Sequence, residues 1–258
     1  MMMHEDGLGF DLPEQTRRST PSSFLLDAIR RREAGRQALS VLTTLLFITG
    51  GGLFTFPLLT DVYANQYVQG NAEDEYALIS QSVDTFEEYE SRVSGQDGVA
   101  ITKIVIEDIG LQTLVVEGTS PSALRAGAGH YDDTPLPGQL GNVAIAGHRT
   151  TYGKPFNRLD ELDIGGSIWL ITPYGDFRYE IVGDQASPDC SSARLRKDRP
   201  NAAACLTAPN DWTVVKGPED PTARWLTLTT CHPKGSAAER LIIRAVLAEE
   251  LPPNTYVG

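Results

Sequence analysis

The stretch "TLTTCHPKGSAAERLIIRA", Thr227 to Ala245, ends one strand-like run on Cys231 and opens the next at Arg240. A thiol attacks carbonyls only as its thiolate, and a nearby guanidinium favours that form and can hydrogen-bond a developing oxyanion. The turn-like "HPKGS" between them predicts a hairpin whose antiparallel strands bring both side chains to one rim. Each residue also has a plain reading, the cysteine as an inert core thiol and the arginine as a surface charge. The position of Cys231 at a strand end weighs against the first. A thiol nucleophile further needs a proton-transfer partner. Of the four histidines, His4 lies ahead of a long apolar run, and His232 follows Cys231 directly and so points to the other face of its strand. His148, closing "NVAIAGH" at a strand–loop rim, and His130, the weaker candidate because "GAGHYDD" is a glycine-rich turn, both remain, and spacing alone does not choose between them.

The compartment follows from one segment. Ala38 to Thr60 is a run of 23 residues without a charge, and roughly 20 apolar residues cross a bilayer as a helix. Membrane helices tolerate the Gly50–Gly52 triplet and Pro57, which would weaken a soluble helix. A signal peptide has a shorter apolar region, and "DVYANQ" is a poor cleavage site. Arg30, Arg31, Arg32 and Arg36 precede the run, whereas the first basic residue after it is Arg92. The positive-inside rule therefore predicts a single-pass plasma-membrane protein with a cytoplasmic tail 1–37, an anchor 38–60 and everything later outside. The net charge of −12 falls wholly after Gln37, because six arginines and six acids balance before it. So acidic an outer part argues against nucleic acid, which selects a basic face. Outside the membrane, a bond between Cys190 and Cys205 is chemically reasonable, the alternative being two free or metal-binding thiols. It would leave Cys231 as the unpaired third cysteine.

These residues need elements to hold them. Ile79, Val83, Phe86 and Tyr89 recur at helical spacing and predict one short amphipathic helix in a connector, 61–98. From Val99 the texture becomes eight short β-rich runs separated by turn residues, "WTVV" at 212–215 among them and a glycine-rich turn around His130. The class is all-β, an antiparallel barrel or sandwich over 99–250, followed by a short tail 251–258. "YGDF" at 174–177 predicts a tight hairpin, and "SPSALRAG" a short helix capped by Ser120 or Ser122.

"TLTTC" at 227–231, "GHYDDTPLPGQLGNVAIAGHRTTYGKPFNRLDEL" at 129–162 and "ERLII" at 239–243 resemble the sortases, membrane-anchored cysteine transpeptidases, and most of all their class E. The resemblance covers about 101–247 and implies an eight-stranded barrel. It implies Cys231 as nucleophile, His148 within "AGHR" as general acid and base, and Arg240 as oxyanion or substrate stabiliser, with Thr229, Thr230 and Tyr131 as substrate contacts and no cofactor. The implied reaction cleaves a C-terminal LAxTG- or LPxTG-like signal between Thr and Gly and passes the protein, through a thioester, to a peptidoglycan amine. The implied partners are secreted proteins bearing that signal and the wall precursor, at the membrane. Two departures stand out: a long cysteine-bearing insertion before the penultimate strand, and no Asp-Pro-aromatic lid motif. A cell-wall cysteine hydrolase or L,D-transpeptidase and a non-catalytic tethered β-domain are the rival readings. "LPEQT" at 12–16 and "LPPNT" at 251–255 only echo a sorting signal, and His130 with Asp132 and Asp133 reads as a turn rather than a metal site.

Overall fold

The computed structural model describes residues 21–63, 69–83, 85–183, 190–218 and 220–256. The tail up to residue 20, with its "LPEQT", and positions 64–68 of the connector lie outside the described residues. Two compact units are present, one ending at Phe54 and one beginning at Thr55.

The first unit is the bulk of helix α1, Pro21–Tyr63. Within its Arg31–Phe56 portion an 18-residue window reaches a mean hydropathy of 1.7, and none of that window is buried. Leu45, Phe47, Leu53 and Phe54 stand exposed, as suits a lipid-facing surface. At about 1.5 Å per residue this portion exceeds the roughly 30 Å of a hydrocarbon core. The hydroxyls of Thr43, Thr44 and Thr49 donate to carbonyls one turn back, so these three hydroxyls are satisfied within the helix.

The second unit is built on a closed ring of strands. They are β1 (Ala100–Ile106), β2 (Leu111–Glu117), β3 (Ala128–His130), β4 (Gly141–Ala146), β5 (Ser167–Thr172), β6 (Gly175–Ile181), β7 (Cys205–Thr207), β8 (Arg224–His232) and β9 (Glu239–Leu251). Neighbours run β6-β5-β1-β2-β3-β4-β8-β9, and β9 pairs back with β6, closing eight strands. Closure leaves no free edge to template aggregation. The ninth strand, β7, lies outside the ring beside the start of β9, whose later residues pair with β6. Val143, Ile145, Leu170, Tyr179, Leu226, Leu228, Leu241 and Ile243 fill the interior.

The eight-strand count agrees with the sequence reading, but its membership differs. "WTVV" is a 3₁₀ turn, Trp212–Val215, begun by Asp211, whose carboxylate accepts from the Thr213 amide at 3.1 Å. The missing strand is β3, within the stretch read as a glycine-rich turn. Three residues are too few for period-2 alternation to register, and Gly129 is there for clearance: a Cβ would lie 2.3 Å from the Gly118 carbonyl oxygen. The barrel is also not wholly antiparallel, because β2–β3 and β4–β8 are parallel pairs. Parallel neighbours need long connections; helix α4, Pro121–Ala126, capped by Ser120 as expected, supplies the one between β2 and β3. The expected hairpin forms, with Thr172 opposite Gly175.

The single amphipathic helix is two, numbered in the chain as α2 (Gln69–Ser82) and α3 (Phe86–Val93). Thr85 interrupts the run and caps α3, accepting from the Glu88 amide at 3.2 Å. All four apolar residues that marked the run still pack with the barrel core. The hydroxyl of Tyr89 donates to the Ile101 carbonyl and that of Tyr76 to Ile171. These helices thus belong to the folded unit.

Cys190 and Cys205 form a disulfide with Cα atoms 5.4 Å apart. With Val214 and Ile242 they make a small second cluster, on the face of β9 opposite Leu241 and Ile243. The bond holds β7 in place, and β7 pairs Thr207 with Arg240. It closes a loop of 15 residues, so replacing both cysteines by Ala is expected to cost about 3 kcal/mol in the chain-entropy account. Denaturant unfolding of the double variant checks this; an unchanged midpoint refutes it.

Candidate active site

The β8–β9 ladder places Cys231 directly opposite Arg240. Directly opposed residues on antiparallel strands share a face, and the neighbouring pair, Thr230 with Leu241, is buried. Cys231 and Arg240 therefore stand on the outer face, and both are partly exposed. The Arg240 guanidinium donates to the carbonyls of Ala237 and Glu239, each at 3.2 Å, which tethers it to the turn it follows.

His148 arrives by a different route. In the parallel β4–β8 pair Ala146 lies opposite Thr229. The pairing continues past the strand end, for the Gly147 amide donates to the Thr229 carbonyl at 3.1 Å and the Thr230 hydroxyl donates to the Gly147 carbonyl at 2.7 Å. Chain direction then carries His148 to the same end of the barrel as Cys231. Gly147 is required here, since a Cβ would meet the Phe156 ring at 2.5 Å. The His148 carbonyl accepts from the Phe156 amide at 3.1 Å, and its half-buried ring packs on Tyr152 with centroids 5.1 Å apart.

Burial lowers the His148 pKa below 6.5 by disfavouring the charged form. At neutral pH the ring is mainly the neutral imidazole. The unfolded chain thus binds a proton here before the folded one does. The stability this site contributes is full above the ordinary histidine pKa and is lost as pH falls from there through the folded value. NMR titration is expected to place the His148 midpoint below 6.5, and His148→Gln to flatten that part of the stability–pH curve. A midpoint above it would contradict the burial argument.

His130 is placed elsewhere. It is 1% exposed, with Nδ1 2.8 Å from the Glu117 carboxylate and Nε2 3.0 Å from the Pro135 carbonyl. Both ring nitrogens face acceptors, so it joins β3 to β2 and to the following loop. That loop carries Tyr131, whose hydroxyl lies 3.0 Å from the Thr229 hydroxyl on the outer face of β8. Thr229 and Thr230 are both buried, and Thr230 lies on the opposite face of β8, its hydroxyl committed to the Gly147 carbonyl. Sequence reasoning missed Arg149, which bonds the Cys231 carbonyl; the only signal was its place after the histidine in "AGHR". Among the described residues no group of His, Cys, Asp and Glu is arranged to hold a metal.

A family profile described as Sortase domain matches residues 104–248. Sortase D of Bacillus subtilis (strain 168) is 31% identical over 153 residues, covering 57% of this chain and 64% of that protein. Sortase SrtE1 of Streptomyces coelicolor is 30% identical over 196 residues, 73% of this chain and 49% of that one. The chain thus spans less than two thirds of the length of either relative. Among solved structures, a Sortase D5 transpeptidase of Clostridium perfringens superposes with a TM-score of 0.55 at 26% identity, over 70% of this chain and 99% of that one. The family match runs from β1 into β9, across every strand of the closed ring, and the chain belongs to the sortase family.

Proposed function

We propose that this protein is a membrane-anchored cysteine transpeptidase acting on the outer face of the plasma membrane. The observation that carries the reading is the placement of Cys231 opposite Arg240, with His148 delivered to the same barrel end by the β4–β8 ladder. His148, neutral at rest, takes the Cys231 thiol proton, and the resulting thiolate attacks the Thr–Gly carbonyl of a C-terminal LAxTG- or LPxTG-like signal. Arg240 donates hydrogen bonds to the tetrahedral oxyanion. Collapse breaks the C–N bond; protonated His148 gives its proton to the departing glycine amine, and a thioester remains. Neutral His148 then accepts a proton from an incoming peptidoglycan amine as that nitrogen attacks the thioester. The new amide forms and the thiolate leaves. An arginine cannot orient imidazole as a carboxylate does, so charge stabilisation is its natural task.

The functional division is a cytoplasmic tail 1–37, an anchor 38–60, a connector 61–98, the catalytic barrel 99–250 and a tail 251–258. The packing of α2 and α3 supports a connector that sets reach from the membrane while stiffened against the barrel. The amides of Thr255 and Tyr256 donate to Asp176, which supports a docked rather than free C-terminal tail. Secreted proteins with the signal and lipid-linked wall precursor are the partners.

Incubating the protein with a peptide library varied at the second signal position, with and without an amine acceptor, tests the reading by mass spectrometry. A covalent peptide–Cys231 adduct that resolves to an amide is the expected outcome. Cleavage of muropeptides with no action on any signal peptide would instead identify a cell-wall hydrolase.

A further inference from the structure

Arg149, the residue after His148, is 3% exposed although its side chain ends in a permanent charge. A guanidinium is buried at acceptable cost only when paired and hydrogen-bonded. Here Nη2 lies 2.9 Å from the Asp160 carboxylate. Nη1 lies 3.3 Å from the Cys231 carbonyl and 2.8 Å from His232 Nδ1. The Arg149 carbonyl in turn accepts from the Asn157 side chain at 2.7 Å, and Lys234, in the β8–β9 turn, donates to Asn157 at 3.3 Å. One buried side chain therefore joins three separate segments: the loop that carries His148, the 3₁₀ turn Leu159–Glu161, and the end of β8.

The contact with His232 has a definite proton assignment. Arginine has only donors, so His232 Nδ1 accepts, and the neutral ring carries its proton on Nε2. Burial, with the Arg149 charge second, also lowers the His232 pKa, which keeps the ring neutral. His232 is thereby engaged as an acceptor beside Cys231 rather than free to exchange protons there.

We infer that Arg149 is a positioning residue, a staple that holds the His148 loop level with Cys231 and locks His232 as a neutral acceptor outside the proton-transfer path. The inference rests on the roles proposed for Cys231 and His148. Its physical force is geometric: a misplacement of about 1 Å in a reacting pair costs on the order of 100-fold in rate. Lysine keeps the charge but is a point donor, unable to span a carboxylate, a carbonyl and an imidazole as a planar fork does.

The test uses the full chain. Arg149→Lys is expected to lower kcat for thioester formation by about 30- to 100-fold with KM within about twofold of the parent, as lost positioning predicts. Asp160→Asn, which keeps the fork but removes its charged partner, is expected to give a smaller loss of about tenfold. Imidazole nitrogen NMR of the unaltered protein is expected to show His232 fixed as the Nε2–H tautomer, and of Arg149→Lys to show exchange between tautomers. Unaltered kcat in Arg149→Lys, a loss confined to KM, or an Nδ1–H tautomer in the parent would each overturn the inference. If Arg149→Lys fails to fold, the parent tautomer and Asp160→Asn decide it. If the unaltered protein forms no thioester with any signal peptide, the transpeptidase reading fails, while the tautomer still reports whether the staple exists.

Discussion

Cys231→Ala is expected to abolish thioester capture and amide formation together, because both half-reactions of the proposed mechanism pass through one sulfur atom. Nothing else among the described residues can substitute: the other two cysteines are joined in a disulfide, leaving Cys231 as the free thiol. Loss of a nucleophile in a comparable acyl-transfer site costs on the order of 10⁶ in kcat, below detection for a transpeptidase of ordinary speed. Stability should hardly change, since the side chain is partly exposed and supports no core packing. Intact-mass measurement after incubation with signal peptide should show no adduct, while the unfolding curve overlays the parent. A Cys231→Ala protein that still joins a sorting peptide to an amine would remove Cys231 from the reaction.

Arg240→Lys is the second large effect. The side chain lies across the ladder from Cys231, and its strand is held by β8 on one edge and by disulfide-pinned β7 on the other. Lysine preserves the positive charge but replaces a rigid planar set of donors with a flexible point charge. Removing one oxyanion donor costs about 10²–10³ in kcat, and a loss of that size is expected here, with KM much less affected. A partly exposed site should change stability by no more than about 0.5 kcal/mol. Full activity of Arg240→Lys would exclude a hydrogen-bonding fork. Full activity of Arg240→Ala as well would take the residue out of the mechanism.

The Cys231–Arg240 hairpin was legible because its two strands are separated by a short turn, so the register follows from local spacing. The apolar helix and the cysteine pairing were legible for a similar reason, being properties of continuous segments and of compartment. Thr85 shows where this stops. The 3.6-residue periodicity of Ile79, Val83, Phe86 and Tyr89 survives a break between helices, because all four side chains meet the same core. "WTVV" has strand composition but is a 3₁₀ turn: Val214 and Val215 pack into the disulfide cluster instead of a ladder, and Trp212 stays exposed.

The two histidines mark the division most clearly. Both follow a glycine at the end of a short run, and spacing alone does not tell them apart, although the glycine-rich setting of His130 weakens it and the family resemblance points to His148. Composition and order along the chain determined a single apolar span, an all-β domain, a cysteine and an arginine opposite each other on a hairpin, and a resemblance to one family. Tertiary pairing decided which histidine reaches the barrel end of Cys231 and which is enclosed between Glu117 and Pro135. It also decided that Arg149 touches the Cys231 backbone, 82 residues away in sequence. Adjacency between β4 and β8 depends on barrel closure, a condition satisfied by all eight strands at once and therefore written in no one of them.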